Sequence, residues 1–87
     1  MIRIMIELTR TERAVKPSEL EAALHNLRGI ASVTESKGGD DNLVFSPTKD
    51  KAGNLNPLYD IRGDAGVADI YALIKCNGWD VLKALPY

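Results

Sequence analysis

Residues Ile2 to Leu8 alternate without a break. Ile2, Ile4, Ile6 and Leu8 fall on one side of the chain, and Arg3, Met5 and Glu7 on the other. Successive side chains of an extended chain point to opposite faces, so this period of two predicts a β-strand with one buried face. A row of large aliphatics needs an apolar layer to pack against, which requires a sheet with something lying on it. The richness of that row places the strand inside the sheet rather than at its rim. The 87 residues supply enough chain for one such core and too little for two ordinary domains, so residues 1–87 read as a single domain. With 45% hydrophobic and 26% charged residues, the composition is that of a soluble globular protein rather than a disordered tail.

The rest of the chain divides into further elements. Thr9 to Lys16 is polar and reads as a connection, and Pro17 ends it. Ser18 followed by Glu21 has the spacing of a capping box, and Leu20, Ala23, Leu24 and Leu27 follow at helical spacing. These features predict a helix over Ser18–Arg28, with Gly29 as its stop. Ile30–Ser36 reads as a strand with Ala31 and Val33 on one face. Lys37 to Asn42 is turn chemistry and Leu43–Phe45 is apolar again, which together predict a β-hairpin. Ser46–Gly63, with Pro47, Gly53, Pro57 and Gly63, reads as a mobile surface excursion. Within it, Leu58, Tyr59 and Ile61 form either a short extra strand near residues 58–62 or a lid over the core. Asp64 is placed to cap a second helix carrying Val67, Ile70, Tyr71, Leu73 and Ile74, and Asn77-Gly78 stops it. Trp79–Leu85 offers two apolar alternations, Trp79, Val81 and Leu85 or Leu82 and Ala84, and reads as a two-faced strand.

The resulting order is β-α-β-β-α-β. It predicts an α+β ferredoxin-like sandwich, a four-stranded antiparallel sheet with two helices on one face. The competing arrangement pairs Leu58–Ile61 beside Trp79–Leu85 and packs the hairpin elsewhere. The passage Leu27-Arg28-Gly29-Ile30-Ala31-Ser32-Val33 resembles the helix-to-strand turn of small ferredoxin-like domains, including heavy-metal-binding and amino-acid-sensing ones. The metal-binding members need a Cys-x-x-Cys pair after the first strand. Here that loop is Thr9-Arg10-Thr11-Glu12-Arg13, so no function transfers with the resemblance.

Charge and motif content exclude several functions. The 11 Lys and Arg residues are balanced by 12 Asp and Glu, spread along the chain without a basic run, so nothing draws it to a nucleic-acid duplex or an anionic membrane. No apolar stretch approaches the roughly 18 residues needed to span a bilayer, and Arg3 and Glu7 interrupt any signal-peptide core. One cysteine, Cys76, rules out an internal disulfide framework and fits a cytoplasmic location.

The single histidine, His25, falls off the apolar stripe of its helix, with no nucleophile or orienting group assigned to it. Cys76 falls near a helix C-terminus, the wrong pole for a reactive thiolate, and reads as structural. Asp40 and Asp41 lack EF-hand spacing and read as a solvated turn. Gly38-Gly39 belongs to no phosphate-binding loop. Arg62-Gly63-Asp64 matches an adhesion tripeptide by chance, Asp64 having a capping use. Trp79 reads as core, where the second helix meets the last strand. No cofactor, metal or catalytic residue is indicated.

The expectation is therefore a small non-enzymatic protein-binding module, an adaptor or inhibitor, with phage or mobile-element origin as a conjecture. Its partner is a protein of unidentified kind, and a homodimer is one way to cover an open face. The expected contact residues are Arg3, Met5 and Glu7 on the sheet face left open by the helices, Lys49, Lys51 and Asn54 in the excursion, and the terminal Tyr87. An edge strand could also receive a partner strand. The alternative is an RNA- or DNA-binding ferredoxin-like domain. Arg3 favours it, but the first strand has no aromatic and Phe45 is the one candidate for base stacking in the predicted third.

Overall fold

A computed structural model describes residues 1–36 and 45–87. Its elements are β1 (Ile2–Arg10), α1 (Pro17–Asn26), β2 (Ile30–Ser36), β3 (Leu58–Gly63), α2 (Val67–Cys76) and β4 (Trp79–Pro86). The sheet order is β2-β3-β1-β4 with antiparallel neighbours throughout, the ferredoxin-like arrangement. The alternation in β1 has the expected result. Ile4, Ile6 and Leu8 meet Tyr59 and Ile61 of β3 and Trp79 of β4 on one sheet face. Leu20 and Leu24 of α1 and Ile70 and Ile74 of α2 close that layer. Burying each such aliphatic side chain contributes about 1.5–3 kcal/mol. The Trp79 indole also donates from Nε1 to the Val15 carbonyl at 3.0 Å, which ties the polar connection before α1 to the core.

The third strand is the main departure from the sequence reading. Leu58–Gly63 is no extra strand; it is β3 itself, between β1 and β2, so pairing with Trp79–Leu85 is ruled out. Its alternation is real but disguised. Tyr59 and Ile61 face the core, while Asp60 between them faces the other way and is paired with Arg3 and Arg62 at 3.4 Å each. The predicted turn at Lys37–Asn42, with Leu43 and Val44, lies outside the described residues. Phe45 stands outside the sheet, with the Lys83 ammonium 4.6 Å from its ring centre.

Both helix starts differ from expectation. Pro17 is the first residue of α1, where its fixed φ and missing N–H suit the position, so Ser18 lies inside the helix. The capping carboxylate is Glu19, whose Oε2 accepts from the Lys16 amide at 3.2 Å. Asp64 does not cap α2, which starts after Gly66; it pairs instead with the Met1 ammonium at 3.1 Å.

Two bulges explain the remaining differences. In β2 the register shifts between Ile30 and Ser32, so Ile30 and Val33 face the core and Ala31 is exposed. In β4, Lys83 lies opposite Glu7 but Val81 opposite Leu8, which makes Leu82 the extra residue. Val81 and Ala84 therefore both reach the core, and Leu82 and Leu85 do not.

Tyr59 carries a testable consequence of this packing. Its ring is fully buried and its hydroxyl bonds to no described residue. Burial, reinforced by the negative charges of Glu21 and Glu35, raises its pKa above the ordinary 10.0. An unfolded chain ionises this phenol above pH 10 while the folded one keeps the proton. Stability should therefore fall as pH rises past that point, by up to about 1.4 kcal/mol per pH unit. Tyr59→Phe should change stability at neutral pH by less than about 1 kcal/mol, since no hydrogen bond is lost, and should flatten the alkaline fall. Chemical denaturation across the alkaline range compares the two; an equally steep fall in both would refute this role for Tyr59.

Candidate interaction surface

With the helices on one face, the opposite sheet face carries Arg3, Met5, Glu7 and Thr9 of β1 and their cross-strand neighbours. It is not open at its centre. Met5 and Glu7 are each 2% exposed. They offer no surface to a partner, contrary to the sequence reading, because the chain from Phe45 to Pro57 lies against this face. The Glu7 carboxylate holds it there, with Oε2 accepting from both the amide and the hydroxyl of Thr48 at 2.7 Å. Charge-assisted bonds of this kind are roughly twice as strong as neutral ones. At the other end, the Pro57 carbonyl accepts from the Leu8 amide at 2.9 Å, where the chain enters β3.

Between these anchors the chain forms an ordered hairpin, not the expected mobile excursion. Lys49 and Leu55 form its bridge, and the Asn56 amide donates to the Thr48 carbonyl at 2.9 Å. At its tip the Gly53 amide donates to the Asp50 carbonyl at 3.0 Å and the Asp50 amide to the Asn54 carbonyl at 2.8 Å. Gly53 has φ +86°, so this is a type I turn closed by a left-handed glycine. Asp50 Oδ1 adds bonds from the Ala52 and Asn54 amides at 2.9 and 3.0 Å. The Asp-x-x-Gly spacing was the sequence signal for this turn, hidden by the surrounding prolines and charges.

The other predicted contact residues separate. Arg3 is exposed, but its guanidinium is paired with the largely buried Asp60 and stacks on Tyr87, 4.1 Å from the ring centre. The Tyr87 amide donates to the Arg3 carbonyl at 2.9 Å, which extends the β4 ladder by one residue. Partial burial and the Asp60 carboxylate raise the Tyr87 phenol above its ordinary pKa. Arg3 and Tyr87 thus form a cluster with Asp60 and Arg62, away from the hairpin tip. Lys49 and Lys51 line a groove of about 880 Å³ between the hairpin and the end of β1, and exposed Asn54 lies outside its lining.

That groove reaches the rim of the sheet at Leu82, which sequence reasoning missed as a contact residue. Leu82 is 52% exposed and Leu85 39%, both on the edge strand β4. The backbone there is also available. Leu8 donates its amide toward β3, to Pro57, and Arg3 uses its carbonyl toward β4, for Tyr87. Alternation along β1 then makes Leu8–Val81 and Ile6–Ala84 the pairs without mutual hydrogen bonds. The Val81 and Ala84 amides consequently face outward, and no described residue pairs with them. The bulge at Leu82, the Lys83 charge and Pro86 keep this edge short, which opposes open-ended sheet growth.

The remaining singled-out residues do not converge. His25 and Cys76 are both exposed, at the ends of different helices. Among the described residues, no three His, Cys, Asp or Glu side chains gather closely enough to hold a metal ion. No described helix is long and apolar enough to cross a membrane. Compared with protein-family models, curated proteins and solved structures, the chain shows no match.

Proposed function

We propose that this protein is a non-enzymatic protein-binding module, an adaptor or inhibitor, whose contact surface is the β4 rim and the adjoining hairpin rather than the sheet face. One observation carries the reading. The hairpin covers the centre of the sheet face, while Leu82 and Leu85 stay exposed along an edge strand with outward-facing amides. Exposed leucines beside free backbone groups are what an added partner strand requires: the main chain supplies affinity and the side chains supply selectivity. A cytoplasmic setting belongs to this reading, supported by the free, exposed Cys76.

The test is retention of a partner by the immobilised protein and by its Leu82→Ser variant. Leu82 lies outside the core, so stability should change by less than about 0.5 kcal/mol. Partner retention should fall at least about tenfold, as for a residue at the centre of a contact. Equal retention by the two proteins would refute the assignment.

A further inference from the structure

Resting on that reading, we infer that the β4 rim takes an extended acidic segment of its partner protein. Two depressions meet at this edge. The larger lies on the hairpin side, and one of about 530 Å³ lies on the helix side, lined by Tyr71, Lys75 and Val81. Thr9 and Leu82 line both. An extended segment paired with Val81 or Ala84 sends alternate side chains to opposite sides of the sheet, and hence one set into each depression. The bulge limits this pairing to a short stretch, so the side chains carry much of the selectivity.

The charges lining the two depressions set the chemistry. Arg10, Lys49 and Lys51 are among the residues lining the larger, with Glu12 and Asp50, and Lys75 lines the smaller, with Asp80; none of the four cations forms an ion pair with a described residue. Arg10 is held in place by Trp79, with its guanidinium 5.2 Å from the indole centre. The carboxylates nearby are Glu12, Asp50 and Asp80. Asp50 accepts the two amide bonds that shape the hairpin tip and keeps its negative charge in the groove. The four lining cations exceed the three lining carboxylates by one, the excess lying in the larger depression, and with Leu82 at the rim they complement a segment that mixes Asp or Glu with apolar residues. The scattered basic residues of the sequence are brought together here by β1, α2 and the hairpin. Complementarity of this kind selects partners and speeds encounter.

The probe is a display library of random linear peptides, selected on the intact protein and then measured against two variants. One is the double variant Lys49→Glu with Lys51→Glu; the other is Leu82→Ser. All of these side chains are exposed, and unchanged melting of the variants confirms their folding. The expected peptides mix acidic and apolar residues. Their binding should fall at least about tenfold in each variant and weaken as salt rises. Selected peptides without acidic residues, sensitive to Leu82→Ser but not to the double variant, would overturn the acidic preference and leave the docking surface standing. Peptides indifferent to Leu82→Ser, or no selected peptide at all, would overturn both. Tight binding of a single-stranded oligonucleotide, lost in the double variant while no peptide is selected, would replace the inference with a nucleic-acid one.

Discussion

Glu7→Ala is expected to release the 48–56 hairpin and to cost about 2 kcal/mol. Two hydrogen bonds to an ionised acceptor are lost, each worth about 1.5–3 kcal/mol net. Part of this is returned, because the variant no longer buries a carboxylate and water takes over the freed Thr48 amide and hydroxyl. Hydrogen exchange would locate the effect. The amides of Thr48 and Asn56 should exchange faster, while those of the helices keep their protection. Met5, now buried, should become accessible to oxidation. Glu7→Gln keeps one carbonyl acceptor and should lie between the two proteins. Because Thr48, Lys49 and Lys51 form one wall of the groove, Glu7→Ala should also weaken partner binding. Unchanged exchange at Thr48 would show that the carboxylate is not what holds the hairpin.

Gly63→Ala is expected to have a still larger effect and to remove the folded state at physiological temperature. Gly63 ends β3 opposite both Ile2 of β1 and Ile30 of β2. An added Cβ would overlap the Gly29 carbonyl oxygen and lie 2.8 Å from the Ala31 nitrogen. These are backbone atoms at the α1–β2 turn, so no side chain can move aside. The φ of +153° adds strain for any L side chain. A cost above about 4 kcal/mol is a large part of the 5–15 kcal/mol that stabilises a typical domain. Gly53→Ala is the matched control: it also has positive φ, but nothing lies within 4 Å of its added Cβ. It should cost only about 1 kcal/mol. Thermal denaturation of the two variants side by side tests the comparison, and similar melting temperatures would contradict it.

The parts of the fold written in local periodicity were legible in the sequence. β1, both helices and the start of β2 follow from apolar spacing, and the element order followed from them. β3 was misread because its alternation contains Asp60, whose charge is balanced by Arg3 and Arg62 across the sheet. A pairing partner 57 residues away is not visible in a local window. The bulge at Leu82 is also non-local. It decides whether Val81 with Ala84, or Val81 with Leu85, faces the core, and only the β1 register sets it. The same bulge turns Leu82 outward, which is why the exposed rim could not be read from alternation alone. Met5 and Glu7 were read as open because the two helices account for one sheet face and nothing local shows that a hairpin folds over the other. The Asp50–Gly53 turn was local, but its anchor, Glu7, is 41 residues from Thr48.

Charge shows the same division. Arg10, Lys49, Lys51 and Lys75 are far apart in the chain and reveal no basic run. They meet because β1 ends, the hairpin projects and α2 terminates at the same end of the sheet.

β4 as the edge that receives the partner is the central proposal. The most direct measurement is hydrogen exchange at the Val81 and Ala84 amides, free and with a selected peptide bound. The prediction is that both amides exchange readily in the free protein and slow by about tenfold or more on binding. The hairpin residues around Lys49 and Lys51 should slow with them, and the outer faces of α1 and α2 should not change. Slowing concentrated on the helices or on the outer edge of β2, with Val81 and Ala84 unaffected, would contradict it.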